Sequence, residues 1–263
     1  MGKTLSLTRI SQKQLNLLST CPPQFQRIYL EKLATPVNPE QQEKLLWGSQ
    51  FHLLMQQREL GLPIESLITE DDRLHHSINS LVVAAPEILQ QQPNSWREAE
   101  HYRALNFQNY ILTVVYDLLV ADRSWAQIID WKTYLQPENK AKLAQNWQTR
   151  LYLYVLAETS EYLPEQISMT YWFVRLPTQP QKVTFNYNSA KHEQTRQDLT
   201  RYLNLLDRYF DDYYDRGIPF PHLPNCHESC PFSKYFSTPE ETLTNQDISI
   251  HQDWLTSISE IEL

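Results

Sequence analysis

Apolar residues recur at helical spacing in the part of the chain before Pro93. The clearest case is the stretch 39–60, which we predict to be one long helix. Asn38 is a suitable N-cap for this helix, Pro39 suits its first position, and Gly61 is a suitable C-cap. Two shorter helical segments precede it, around residues 15–18 and 25–30, and Pro22 and Pro23 are expected to separate them.

After Glu98 the pattern changes to strand-like runs rich in Val, Ile, Leu, Tyr and Trp. The polar segments 106–109 and 122–125 separate the first three runs and predict hairpin turns. A helix is then expected over 137–155, and a second, longer helix from about residue 190 to 216. The predicted strands cover residues 98–105, 110–121, 126–132, 168–174 and 182–187.

The length of 263 residues is enough for one large domain, with or without an added helical lobe. We predict a single domain over residues 1–236. Its last part, residues 217–236, is rich in proline and is expected to form an irregular cap that holds two of the three cysteines. Residues 237–263 are predicted to be a mobile acidic tail, in which apolar positions from Trp254 onward could form a short helix that docks on a partner.

Composition favours an ordinary globular protein, because 41% of the residues are hydrophobic and 21% are charged. No apolar run approaches the ~18 residues that indicate a transmembrane helix. The first residues also lack the apolar stretch of a secretory signal. We therefore expect a cytoplasmic protein without a membrane partner.

The net charge of −8 is not typical of a nucleic-acid-binding protein, which usually presents a basic surface. However, residues 237–263 carry no Lys or Arg and hold six acidic residues. The rest of the chain is nearly balanced, so the net charge does not exclude a nucleic-acid substrate. The six are Glu240, Glu241, Asp247, Asp253, Glu260 and Glu262.

Charged residues stand inside two of the apolar strand runs. Asp117 interrupts one run, and Asp130 and Lys132 interrupt the next. Side chains alternate between the faces of a strand, so Asp130 and Lys132 project from one face while Trp131 points away. If the two runs form a hairpin, the two carboxylates can share a divalent cation. Oxygen ligands of this kind suit Mg²⁺ or Mn²⁺. Lys132 could then offset charge on a phosphate or position the attacking water.

Each of these residues also has a simpler interpretation. An Asp-x-Lys pair is often a local ion pair on an exposed strand face. Gln148 and Tyr152 lie four residues apart and therefore share one helix face, which is also typical of a partly buried amphipathic helix. His52 taken alone is more often a packed core histidine. The occurrence of all these residues in one fixed order favours the functional interpretation.

This order resembles the RecB-like branch of the PD-(D/E)XK nuclease superfamily, over residues 11–236. That family has a Gly followed four positions later by His, an Asp on a strand, Asp/Glu-x-Lys on the next strand, and Gln-x-x-x-Tyr on the following helix. In this chain these motifs match Gly48 and His52, Asp117, Asp130-Trp131-Lys132, and Gln148 and Tyr152.

The resemblance implies an α/β (α+β) fold with the αβββαβ core of the superfamily, in which helices flank a central mixed sheet, plus an N-terminal helical region. It implies that a bound cation polarises the scissile phosphate and lowers the pKa of a water. Lys132 would orient or activate that water, with Gln148 and Tyr152 holding Lys132 or the nucleic-acid backbone. Glu100 could reach the site through a water. The implied metal ligands are His52, Asp117, Asp130 and the main-chain carbonyl of Trp131.

The function implied is that of a Mg²⁺- or Mn²⁺-dependent DNA nuclease, an exonuclease rather than an endonuclease, in DNA repair, recombination or foreign-DNA processing. Single- or double-stranded DNA is the expected partner, together with a helicase or CRISPR-type protein. The alternative is a non-catalytic nucleic-acid-binding or assembly module that kept the nuclease fold.

Two features of the sequence bear on the substrate. The family usually has Gly three positions before the first Asp, where this chain has Val114, and a β-branched residue there is expected to change how substrate approaches. Aromatic residues such as Trp47, Trp96 and Tyr102 could stack on single-stranded bases, although aromatics at these spacings more often belong to the core.

The three cysteines lie near the positions at which some relatives of this family hold a four-cysteine iron-sulfur cluster. Here Cys21 is early, and Cys226 and Cys230 are late, but Tyr235 or Phe236 stands where the last cysteine would be. A histidine, His222 or His227, could complete a zinc site or a cluster. A degenerate site whose thiols simply pack is the favoured alternative.

Overall fold

The computed structural model divides the chain into two compact units. One unit comprises Met1–Gln12 and Glu43–Arg196, and the other comprises Lys13–Gln42 and Gln197–Leu263. The structure describes residues 8–33, 38–64, 72–86, 94–134, 139–176 and 179–223.

Six strands and seven α-helices are found in the described residues. The strands are β1 (Thr8–Ile10), β2 (Trp96–Phe107), β3 (Tyr110–Ala121), β4 (Ala126–Lys132), β5 (Ile167–Phe173) and β6 (Gln181–Asn186). The helices are α1 (Gln12–Thr20), α2 (Pro22–Phe25), α3 (Pro39–Glu59), α4 (Asp72–Ala84), α5 (Lys140–Gln145), α6 (Trp147–Glu158) and α7 (Ser189–Arg216). A π-helical turn (Gln26–Leu30) follows α2, and a 3-10 turn (Pro164–Gln166) precedes β5.

The strands form one mixed sheet in the first unit. Strand β3 pairs with β2 along one edge, antiparallel, and shares its other edge between β1, which is parallel, and β4, which is antiparallel. The sheet then continues through a parallel β4–β5 pair and an antiparallel β5–β6 pair. The expected mixed sheet is therefore confirmed. The sequence pattern missed β1, because three residues are too few to show an alternation.

Helix α3 has the termini that its sequence predicts. The Asn38 side chain accepts a hydrogen bond from the Gln41 N–H at 2.8 Å, which satisfies one of the free amides of the first turn. After the last turn, Gly61 has a φ of +70°, the left-handed conformation that glycine adopts readily. The predicted caps are confirmed.

The single helix predicted over 137–155 is wrong, because Asn146 divides the described part into α5 and α6. Asn146 has an extended backbone (φ −63°, ψ 139°), and its side chain accepts a hydrogen bond from the Gln148 N–H at 2.8 Å. An asparagine that caps a new helix competes with continuation of the old one. The break places Gln148 in the first turn of α6. Pro137 lies outside the described residues.

Helices cover both faces of the sheet, as the side chains of β4 show. Ile129 and Trp131 belong to a buried cluster with residues of α3 and α4 such as Phe51 and Leu81. Asp130 and Lys132 point the opposite way and contact Gln148 of α6. The predicted α/β fold with helices flanking a mixed sheet is confirmed.

The second unit has an aromatic centre around Phe220. Its ring packs on Phe25 at 6.0 Å and on Tyr209 at 5.1 Å, and its N–H donates to the Gln26 side-chain oxygen at 2.7 Å. Cys21, between α1 and α2, is buried. Of the other residues predicted for the cysteine site, Cys226, Cys230 and His227 lie outside the described residues, whereas His222 lies within them. Within the described part of the chain, no helix has the length and apolar character needed to cross a membrane.

Candidate active site

The sheet opens between β3 and β4 at the two predicted catalytic aspartates. The ladder between these strands ends at the pair Leu118 and Ile129. The next pair would be Asp117 and Asp130, but the Asp117 side chain occupies the gap, where its Oδ2 accepts a hydrogen bond from the Trp131 N–H at 2.6 Å. Asp117 is therefore held by the main chain of the neighbouring strand. It lies where β3 and β4 separate, beyond the pair Leu118 and Ile129, and we call this point the fork.

A second irregularity lies opposite Asp117, on β2. Ala99 pairs with Leu118 and His101 pairs with Tyr116, whereas Glu100 between them has a φ of +50° and leaves the ladder. A residue with a Cβ rarely adopts this left-handed backbone conformation. Residues that do adopt it occur preferentially at functional sites.

The fork brings together a group that can bind a metal ion. One ligand atom each of His52, Glu100 and Asp117 lie within 4.8 Å of one another, and all three side chains are half-buried. The His52 Nδ1 is 3.4 Å from the Asp117 Oδ1. One imidazole and two carboxylates are a ligand set that suits Mn²⁺. Mg²⁺ is suited by the carboxylate oxygens of the same set. The residues present therefore fit a divalent cation.

Glu100 lies in this group. The reason is the hairpin register. The turn between β2 and β3 contains only Gln108 and Asn109, since Phe107 pairs with Tyr110. Counting back from that two-residue turn places Glu100 opposite Asp117. The predicted four-residue turn, 106–109, gave a different register and concealed this signal.

The Asp130 carboxylate belongs to a second, adjacent network. Lys132 Nζ lies 2.7 Å from Asp130 Oδ1 and donates to Gln148 Oε1 at 2.8 Å. Gln148 Nε2 in turn donates to Asp130 Oδ2 at 2.6 Å. Asp130 is 1% exposed and Lys132 is 2% exposed, so the alternative of an ion pair on an exposed face is wrong. A buried ion pair needs such additional hydrogen bonds, and Gln148 supplies them to both partners.

The environment of Asp117 favours its charged form. Burial alone would raise the pKa of this carboxyl. The charge and hydrogen bond of His52, the N–H of Trp131 and the charge of Lys132 act in the opposite direction, and together they hold the pKa below its ordinary value. Asp117 is thus an anion near neutral pH, as a metal ligand must be.

Three further positions singled out in the sequence have largely buried side chains. Tyr152 is 1% exposed; its ring packs on Tyr116 at 5.3 Å and its carbonyl accepts from the Tyr116 hydroxyl at 3.0 Å. Tyr152 therefore packs against β3, and it is not accessible to a nucleic-acid backbone. Trp131 contacts Asp117 through its N–H, while its side chain lies in the core. Val114 is 1% exposed, so its side chain packs in the interior.

The glycine of the Gly-x-x-x-His motif has a packing explanation. A Cβ on Gly48 would lie 3.1 Å from the Thr133 Oγ1, which is closer than most real contacts of this type. Thr133 directly follows Lys132, so the absence of a side chain at Gly48 lets α3 approach the end of β4. That approach fixes His52, one helical turn later, beside the fork.

A family model described as the PD-(D/E)XK nuclease superfamily matches residues 9–235 of this chain. The match spans the described fork, the buried ion pair and both helical layers. No curated protein sequence matches the chain.

Two solved structures are similar to the chain at low sequence identity. The crystal structure of a "Putative exonuclease" from Eubacterium rectale is 9% identical, with a TM-score of 0.54, over 92% of this chain and 93% of that one. The crystal structure of SSO0001 is 13% identical, with a TM-score of 0.38, over 76% of this chain and 77% of that one. The first of these likenesses supports the fold alone.

Proposed function

Since the chain belongs to the PD-(D/E)XK nuclease superfamily, we propose that it is a DNA nuclease that hydrolyses phosphodiester bonds with a bound Mg²⁺ or Mn²⁺. We place it in the RecB-like branch, as an exonuclease of DNA repair, recombination or foreign-DNA processing. The observation that carries the proposal is the convergence of His52, Glu100 and Asp117 at a fork in the sheet, beside the buried Asp130 and Lys132 pair.

The proposed metal ligands come from several elements around the fork. His52 of α3, Glu100 of β2 and Asp117 of β3 form one group of ligand atoms. Asp130 and the Trp131 carbonyl are the ligands proposed from the β4 side. A divalent cation bound there would polarise the scissile phosphate and lower the pKa of a water.

Lys132 is the cationic group of the proposed site. Gln148 and Asp130 hold its ammonium group in one place, so little reorganisation is needed when charge develops on the phosphate. The ammonium group offsets that charge and orients the attacking water. Gln148 acts through Lys132 and Asp130 and is a positioning residue.

The test is cleavage of end-labelled single- and double-stranded DNA, and of RNA of the same sequence, with Mg²⁺ or Mn²⁺ and with chelator. We expect Lys132→Ala and Asp117→Asn to lower the rate by at least ~10²-fold, the usual effect of removing a group that stabilises the transition state. The matched control is Glu193→Gln, which removes an exposed ion pair with Arg196 on α7. Shortened labelled ends would indicate an exonuclease.

A folded, metal-loaded wild type that cleaves none of these substrates would refute the proposed activity. The chain would then be better described as a binding or assembly module with the nuclease fold. Co-purification of a helicase or CRISPR-type protein would be examined in the same preparations, because cleavage and partner binding can coexist.

A further inference from the structure

One face of β2 and β3 packs against α6. The His101 ring stacks on Tyr116, which contacts Tyr152 of α6. Arg103 donates to the carbonyl of Thr159, the residue after α6, at 2.7 Å. Phe107 packs on Tyr154 of α6 at 6.0 Å. The odd-numbered residues from His101 onward therefore face α6.

The residues between them must face the other way, because side chains alternate along a strand. Tyr102 is 52% exposed, and Ala104 and Asn106 are also exposed. Their register partners on β3 are half-buried. We call this surface the open face; it consists of Tyr102, Ala104 and Asn106 on β2 and Val115, Thr113 and Ile111 on β3.

The open face is continuous with the proposed metal site. Glu100 precedes Tyr102 by two residues, and Asp117 follows Val115 by two residues. A ligand atom of each carboxylate lies within 4.8 Å of a ligand atom of His52 on α3. A chain lying on the open face would therefore run directly into the fork.

A positively charged residue, Arg9, lies at the end of the open face that is far from Asp117. Arg9 of β1 pairs with Ile111 and is exposed, whereas its neighbour Ile10 pairs with Leu112 and is buried. Arg9 thus shares the side of Ile111. From Asp117 to Ile111 the distance is about 20 Å, six residues at ~3.3 Å each, which is room for a few nucleotides.

We propose that one nucleic-acid strand lies along the open face, with a base stacked on Tyr102 and a phosphate near Arg9. This inference rests on the proposed nuclease function and specifies its substrate as single-stranded. An exposed aromatic ring on a sheet is the usual platform for an unpaired base. A base within a duplex is already stacked on its neighbours, so Tyr102 favours a single strand.

Binding is measured separately from cleavage, by fluorescence anisotropy of a labelled single strand of about 12 nucleotides and of the matching duplex, with Ca²⁺. Tyr102→Ala is expected to weaken single-strand binding roughly 5- to 100-fold and to leave duplex binding unchanged. Tyr102→Phe should bind like the wild type. The control Tyr214→Ala removes a tyrosine of similar exposure, 55%, on α7.

A scan of abasic positions along the oligonucleotide provides a readout that a purely structural role would not alter. In the wild type, one abasic position should weaken binding, and Tyr102→Ala should make binding insensitive to that position. The same position should not matter to duplex binding.

Five outcomes are distinguishable. If binding depends on Tyr102 and on one abasic position, and the protein also cleaves DNA, both proposals are supported. If the same binding is seen without cleavage, the stacking inference is supported and only the nuclease activity is refuted. Cleavage and binding that are the same in wild type and Tyr102→Ala overturn the inference and leave the nuclease proposal intact. A Tyr102→Ala defect that no abasic position suppresses also overturns stacking. Wild-type protein that neither binds nor cleaves refutes both.

Discussion

Glu100 has a conformation that opposes stability and a position that serves the proposed site. Its φ of +50° places it in the left-handed region, which costs a residue with a Cβ about 1–2 kcal/mol relative to glycine. The same backbone kink takes Glu100 out of the β2–β3 ladder and puts its carboxylate beside Asp117. Stability and metal binding therefore make opposite demands on this residue.

Substitution of Glu100 separates the two demands. Glu100→Gly relieves the left-handed strain and Glu100→Ala does not, so the glycine variant should be the more stable by about 1 kcal/mol. Both variants should lose cleavage, because both lack the carboxylate. The measurements are urea unfolding and the end-label assay. Equal stability of the two variants would show that the conformation is not strained, and retained cleavage in both would remove Glu100 from the metal site.

At the scale of elements, the approach of α3 to the end of β4 depends on Gly48. Glycine in a helix costs about 1 kcal/mol relative to alanine, so a helix keeps one at a cost. The 3.1 Å distance from an added Cβ to the Thr133 Oγ1 gives the reason for the glycine. His52 and Lys132 are thereby positioned by the same contact, one from each element.

A double-mutant cycle tests this contact. Gly48→Ala alone should destabilise the protein, because overpacking of about 1–3 kcal/mol exceeds the gain in helix propensity. In a Thr133→Ala background the clash is removed, and Gly48→Ala should instead stabilise by up to about 1 kcal/mol.

The control for this cycle is Gly61→Ala. Gly61 has a φ of +70° and nothing within 4 Å of an added Cβ. Its substitution should therefore cost the same with either residue at position 133. Stabilisation by Gly48→Ala in the presence of Thr133 would contradict the close approach.

The sequence determined elements well where their ends carry strong local signals. Strands β3 and β4 begin and end at the predicted residues, because polar turns flank long apolar runs. The helix over 137–155 was predicted without its break, since Asn146 reads equally well as a surface residue of a continuous helix. Only its extended backbone and its hydrogen bond to Gln148 N–H distinguish a cap.

For the molecule as a whole, the sequence identified the site residues better than their grouping. Asp130, Lys132 and Gln148 were expected together, and they are joined by hydrogen bonds. The separate grouping of His52, Glu100 and Asp117 depends on a hairpin register and on a reversal of strand alternation at Glu100. Periodicity cannot reveal such a reversal, because it is itself a departure from period two.

The distribution of charge over the whole chain gives a last prediction. Residues 237–263 carry six of the negative charges, so the net charge without them is −8 + 6 = −2. A protein without this segment should bind a single-stranded oligonucleotide more tightly at low salt, because the repulsion of phosphates is reduced. The difference should shrink as salt is raised, since the Debye length falls from ~10 Å at 0.1 M to ~3 Å at 1 M.

The matched control keeps the full length of the chain and replaces the six acidic residues of 237–263 with their amides. If charge alone matters, this variant should behave like the truncated protein in anisotropy titrations at each salt concentration. If the amide variant behaves like the wild type while truncation still tightens binding, the segment acts by occupying the nucleic-acid path. If neither change affects binding, residues 237–263 take no part in it, and loss of a co-purified partner on truncation would then identify a docking role.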